Sequence, residues 1–115
     1  MNVRELPDLL AMEVVCGQSG LDREVEDGYC GDLLSDVMAN APHGSIWLTI
    51  QAHKNIVAVA VLREMAAIVL VNGRTPDEDA KAKADQEGIP ILTSPLSAYQ
   101  LAGELFKAGI HADAG

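Results

Sequence analysis

Residues 45–62 read SIWLTIQAHKNIVAVAVL, and this stretch decides the fold. Its start is apolar and β-branched, which predicts a buried strand over 45–50. The polar segment 49–55 interrupts the apolar run, which resumes over 56–65 with alanines that favour a helix. A buried strand, a polar loop and a buried helix are typical of an open α/β sheet, which binds ligands beyond the carboxyl ends of its strands.

The same alternation continues along the chain. The apolar run 67–71 predicts a central parallel strand buried on both faces. A capping pattern at Thr75 opens a polar helix that Gly88 ends, and a strand over 89–92 precedes a final amphipathic helix that runs to Phe106. Strands that alternate with helices predict right-handed crossovers and a mainly parallel sheet.

The first forty residues carry weaker patterns. They predict a short helix over 3–11, a strand over 13–16 and a second strand over 25–31. Asp32 is predicted to be the N-cap of a helix that ends before Pro42. The tail 111–115 is expected to be frayed. We therefore expect one α/β domain over 1–115, with three layers and a mainly parallel sheet flanked by helices.

Composition excludes several classes of function. The chain has 115 residues and a formal net charge of −9, so its summed field repels nucleic acid and anionic membrane surfaces. It contains no apolar run near the roughly 20 residues that span a bilayer, and its start lacks a signal-peptide core. These observations predict a cytoplasmic protein that binds neither nucleic acid nor membrane.

Three strand ends supply the candidate ligand site. Because parallel strands present their carboxyl ends at one edge, the loops after 45–50, 67–71 and 89–92 are expected to converge there. They offer hydroxyls, amides and an imidazole, which suit a small polar or anionic ligand. The predicted ligand-binding residues are Thr49, Gln51, His53, Asn55, Asn72, Gly73 and Thr93. No spacing defines a catalytic set, so we predict no catalytic residue, no bound metal and no cofactor.

Several of these residues have structural alternatives. His53 is a candidate general base, but it also suits a hydrogen-bonded position near a helix start. Asn55 is a natural helix cap, and Gly73 suits a positive φ angle after a strand. Cys16 and Cys30 lack metal-site spacing and are predicted to be buried thiols. Asp32 and Asp36 lie one helical turn apart, where they suit a cation, but a helix cap and a solvated acid are the interpretation we favour for them.

Five segments together resemble the DRTGG domain family. They read GLDREV over 20–25, GDLLSDV over 31–37, the block 49–62, VNGRTP over 71–76 and GIPIL over 88–92. The resemblance implies a fold like the N-terminal domain of HPr kinase, a homodimer and a non-catalytic regulatory role. Members occur as modules of some phosphate acetyltransferases and CBS-domain pyrophosphatases, and standalone members are associated with iron-only hydrogenases.

The chain departs from both elements that give the family its name. The segment 51–54 reads QAHK where a Gly-Asp-Arg element is expected, and 71–73 reads VNG where Thr-Gly-Gly is expected. Only Gly73 is retained. The resemblance therefore implies the fold and the dimeric state more strongly than the ligand chemistry.

Three functions remain open from the sequence. The first is a homodimeric regulatory or interaction module that senses a small polar or nucleotide-like ligand and has a protein partner. The second is an accessory enzyme subunit, serine kinase-like or phosphotransfer, that uses His53. The third is a metal or iron-sulfur carrier that uses Cys16, Cys30 and His53.

Overall fold

A five-stranded sheet lies at the centre of the computed structural model, which describes residues 1–112. The strands are β1 (Glu13–Cys16), β2 (Asp27–Cys30), β3 (Ser45–Thr49), β4 (Ala67–Leu70) and β5 (Ile91–Thr93). Their spatial order is β1-β5-β4-β3-β2. Strands β2 to β5 are mutually parallel, and β1 pairs antiparallel with β5. The predicted α/β class and mainly parallel sheet are confirmed.

Helices cover both faces of this sheet and complete the three layers. They are α1 (Leu6–Leu9), α2 (Leu34–Asn40), α3 (Asn55–Leu62), α4 (Glu78–Glu87) and α5 (Ala98–Lys107). One apolar cluster joins Ile46, Leu48 and Val69 to Leu101 and Leu105 of α5. The other joins Trp47 and Ile68 to α2, α3 and α4. Side chains that alternate in direction along each strand therefore pack into two separate cores, one on each face of the sheet.

Strands β3 and β4 match the sequence prediction to within one residue, whereas β5 begins at Ile91, two residues after its predicted start. Strands β3 and β4 are buried at every position, as expected for parallel strands covered on both faces. Gly88 ends α4 in the left-handed conformation with a φ angle of 66°, so the predicted helix stop is also confirmed.

Some predicted helix starts were wrong. Helix α4 begins at Glu78 after the N-cap Asp77, so Thr75 and Pro76 lie in the preceding loop. The first helix is a 3-10 turn over Val3–Glu5 followed by α1, and it ends at Leu9 rather than residue 11.

No helix within residues 1–112 has both the length and the apolar character needed to cross a bilayer. The prediction for the tail falls largely on residues 113–115, outside the described part.

Candidate functional site

The loops beyond the carboxyl ends of β3, β4 and β5 lie together at the same end of the sheet. The amides of Asn72 and Gly73 donate to the carbonyls of Leu96 and Ser94 over 2.9 and 2.8 Å. Thr93 Oγ1 donates to the carbonyl of Arg74 over 2.6 Å. Backbone bonds thus fix the relative positions of these loops, so side chains on them form a defined surface.

Asp32 connects a fourth loop, after β2, to the loop after β3. Its Oδ1 atom accepts hydrogen bonds from Thr49 Oγ1 over 2.8 Å and from the amide of Ile50 over 2.9 Å. In the other direction, Gln51 Nε2 donates a hydrogen bond to the backbone carbonyl of Asp32 over 3.0 Å. The prediction that Asp32 caps α2 was therefore wrong: the N-cap position belongs to Leu33, and the Asp32 carboxylate is engaged elsewhere.

A pocket of about 440 Å³ opens beside this connection. Asp32, Thr49 and Asn72 supply its polar groups, and Ala98 at the start of α5 forms part of its wall. Asn72 has a left-handed backbone with a φ angle of 58°, which asparagine tolerates better than most residues. The remaining lining is mostly aliphatic and comes from the ends of β2, β3 and β4: Cys30, Gly31, Leu48, Ile50 and Val71.

The seven predicted ligand residues do not share one pocket. Thr49 and Asn72 line the pocket beside Asp32. Gly73 and Thr93 instead line a separate cleft of about 530 Å³ towards α1, together with Pro7 and Met12. The carboxyl end of the sheet therefore carries two neighbouring pockets. Both are lined by the loop after β4, which contributes Asn72 to one and Gly73 to the other.

The other three predicted residues lie outside both pockets. Gln51 uses its side chain and its amide to bind Asp32 and Thr49. His53 is partly buried, and its Nδ1 atom is enclosed without a hydrogen-bond partner among the described residues. Asn55 is the exposed first residue of α3 and makes no side-chain cap, so the capping interpretation was wrong; Lys54 occupies that position.

The two cysteines occupy opposite edge strands and differ in exposure. Four strand spacings of about 4.8 Å separate β1 from β2, which places Cys16 and Cys30 roughly 19 Å apart. Within residues 1–112, no three His, Cys, Asp or Glu side chains lie close enough together to hold a metal ion. Cys16 is buried, as predicted, but the same prediction for Cys30 was wrong, because Cys30 is exposed at the sheet edge.

Both thiols are held in the protonated form. Burial, with the nearby charge of Asp85, raises the pKa of Cys16 to about 11. Partial desolvation and the Asp32 carboxylate also raise the pKa of the Cys30 thiol. Neither cysteine therefore has the low pKa expected of a metal ligand or nucleophile.

Sequence reasoning missed the central residue of this site. Asp32 lies two residues after the end of β2, and the rule that ligands bind beyond strand carboxyl ends applies there as it does to β3. The weak strand pattern of 25–31, which contains only four paired residues, kept this fourth strand end out of the predicted site.

Comparison with known proteins supports the fold. A crystal structure of the CBS and DRTGG domains from the regulatory region of a Clostridium perfringens pyrophosphatase, complexed with its activator diadenosine tetraphosphate, superposes with a TM-score of 0.65. The match has 12% identity and covers 94% of this chain but 49% of that one, so this chain spans about half its length. No family model matches this chain, and no curated protein matches it in sequence.

Proposed function

We propose that this chain is a non-catalytic regulatory module that senses a small polar ligand with a nucleoside-like part. The fold supports this proposal, because a structure with the same architecture belongs to a regulatory region that holds a nucleotide activator. The sequence resemblance to DRTGG domains points the same way, with residues 1–115 as one such domain. The ligand site is the pocket beside Asp32, Thr49 and Asn72.

The free oxygen of Asp32 indicates which kind of ligand the pocket binds. Both protein donors, Thr49 Oγ1 and the Ile50 amide, bind Oδ1. Oδ2 receives no hydrogen bond from residues 1–112 and belongs to an exposed side chain that lines the pocket. Because an ionised carboxylate only accepts hydrogen bonds, this oxygen selects a ligand that donates them.

A ribose is the donor that best fits this position. In dinucleotide-binding sheets, an acidic residue near a strand end accepts hydrogen bonds from ribose hydroxyls. Asp32 has a corresponding placement, two residues after the end of β2. The aliphatic walls of the pocket suit the face of a base, and the Asn72 amide can both donate to and accept from its edge.

No lysine or arginine lines this pocket. A bound nucleotide would therefore direct its phosphates away from Asp32 and into solvent. His53 lies outside the pocket, so the geometry gives no support to the alternative in which it reacts with a ligand or phosphate.

Ligand binding is tested by thermal unfolding with adenine, adenosine, ATP and diadenosine tetraphosphate. A ligand that binds only the native state stabilises it by about 2.7 kcal/mol at 100 times its dissociation constant. We expect adenosine to raise the melting temperature and adenine, which lacks the ribose, to raise it much less. Absence of a shift with all four compounds contradicts the proposal.

Two variants localise the effect to the pocket. Asp32→Asn can keep the Oδ1 contacts to Thr49 and Ile50 while its amide replaces the free acceptor with a donor, so we expect loss of the adenosine shift with little loss of stability. Asn72→Gly removes the side chain and still suits the left-handed backbone. Gln86→Ala, on the exposed side of α4, is the control that should bind normally. Unchanged binding in both pocket variants would place the site elsewhere.

A further inference from the structure

Strand β2 forms an edge of the sheet with an open side. The Gly31 amide donates to the Leu48 carbonyl of β3 over 3.1 Å, and Tyr29 pairs with Trp47. Because strand residues alternate in direction, the backbone groups of Gly28 and Cys30 face outward. The Gly28 amide is met there by the carboxylate of its neighbour Asp27 over 2.8 Å.

A groove runs between this edge and α5. It contains a cavity of about 280 Å³ with apolar walls that include Leu48, Leu105 and Ile110. Gly28 leaves it open, since a Cβ atom at that position would meet only the Ile46 carbonyl oxygen, at 3.8 Å. Phe106 is 64% exposed on the rim and stacks on His111 with ring centroids 4.3 Å apart.

The opposite face of the same edge is acidic. Tyr29 points towards α2 and donates its hydroxyl hydrogen bond to Asp36. Asp27 lies two residues before Tyr29 and therefore on the same face, and it makes no ion pair with a lysine, arginine or histidine of residues 1–112. An added strand would therefore meet apolar side chains on its α5 side and carboxylates on its α2 side.

We propose that the β2 edge binds an extended segment of a partner protein in which apolar and basic residues alternate. Such a segment adds a sixth strand, directs its apolar side chains into the α5 groove and its basic side chains towards Asp27 and Asp36. A lysine or arginine that pairs with Asp27 draws its carboxylate away from the Gly28 amide, which then becomes available to the added strand.

Charge argues against a second copy of this chain as the occupant. Two β2 strands paired edge to edge would bring together two sets of Asp27 and Asp36. Like charges across a sheet are destabilising, and the net charge of −9 adds a general repulsion. A basic segment reverses the sign of both contributions.

Fluorescence anisotropy of the whole chain with labelled hexapeptides tests this assignment. One peptide alternates valine and lysine, a second has the same composition with its three lysines adjacent, and a third alternates valine and glutamate. We expect the alternating lysine peptide to bind at least about tenfold more tightly than either control. Equal binding of the two lysine peptides would mean that only net charge attracts them and would overturn the proposal.

A matched pair of glycine variants tests the groove. Gly28→Val places a side chain in its open space without changing charge, and we expect at least about a tenfold loss of binding. Gly103→Ala on α5, where a Cβ atom meets nothing within 4 Å, should bind as the natural chain does. Urea unfolding verifies that both variants fold. Retained binding in folded Gly28→Val, or a chain dimer that this variant dissociates, would overturn the proposal.

Discussion

Asp32 joins two loops through one oxygen atom. Thr49 is a buried residue whose hydroxyl hydrogen depends on this carboxylate, so removal of the acceptor leaves a buried donor without its partner. We expect Asp32→Ala to lower the free energy of unfolding by about 1–3 kcal/mol. Asp32→Asn retains an acceptor and should lose less. Urea denaturation measures both values.

An exposed acid elsewhere provides the comparison for this prediction. Asp8→Ala alters a side chain of α1 that forms none of the hydrogen bonds or ion pairs of residues 1–112, and we expect a change within about 0.5 kcal/mol. If Asp32→Ala unfolds as easily as Asp8→Ala, the contact with Thr49 contributes nothing to stability.

Residue roles were harder to predict than residue positions. The sequence indicates that Thr49 and Asn72 lie at the ends of strands, and both line the pocket. It also favours Asp32 and Asn55 as caps, because each precedes a helical pattern. In the structure, Asp32 instead accepts a hydrogen bond from Thr49, 17 residues away at the end of β3, and Asn55 is the first residue of α3 rather than its cap. Sequence spacing shows which local roles, such as helix capping, a side chain can take. It does not show that a donor distant in the sequence binds the same side chain in the folded protein.

At the scale of elements, buried strands were the most predictable features. Strands β3 and β4 have unbroken apolar patterns, because helices cover both of their faces. Strand β2 alternates between partly buried and exposed residues and includes a glycine, so its pattern is weak. Its position at the sheet edge is the physical reason for that weakness, and it is also the reason that its ligand-facing end was missed.

The connection between β1 and the next turn depends on a close backbone approach. Gly17 has a φ angle of 73°, and a Cβ atom there would collide with the carbonyl group of Ile89. We expect Gly17→Ala to lower the free energy of unfolding by about 2–5 kcal/mol, from overpacking and left-handed strain together. Chemical denaturation monitored by circular dichroism measures the loss.

Gly109 separates these two contributions. It also has a positive φ angle, of 91°, but a Cβ atom there would meet nothing within 4 Å. Gly109→Ala should therefore cost only the strain, about 1–2 kcal/mol. Equal losses in the two variants would show that the approach to Ile89 is unimportant.

For the whole molecule, the order of strands explains why distant sequence segments form one site. The loops after β2, β3 and β4 are neighbours because their strands are parallel and adjacent. Convergence of the loops after β3, β4 and β5 was predictable from the alternation of strands and helices, but the loop after β2 was not included in that prediction. The division of the edge into two pockets was not, because it depends on how the loop after β4 bonds to the loop after β5.

The predicted homodimer is a property of the whole surface. Leu33 and Leu62 are each 68% exposed and Tyr99 is 90% exposed, so apolar side chains are available on the surface for a second copy to cover. We expect sedimentation equilibrium at micromolar concentration to give about twice the chain mass. A mass of 12.2 kDa under those conditions would contradict the prediction.

Successive backbone amides that point into a turn can hold an anion. Asn72 and Gly73, with φ angles of 58° and 69°, lie in the turn after β4, but the carbonyls of Leu96 and Ser94 already accept from their amides. A phosphate group would have to displace both carbonyls to bind there. These two amides are thus engaged within the protein, and the proposed sensor would distinguish its ligands by sugar and base rather than by the number of phosphates they carry.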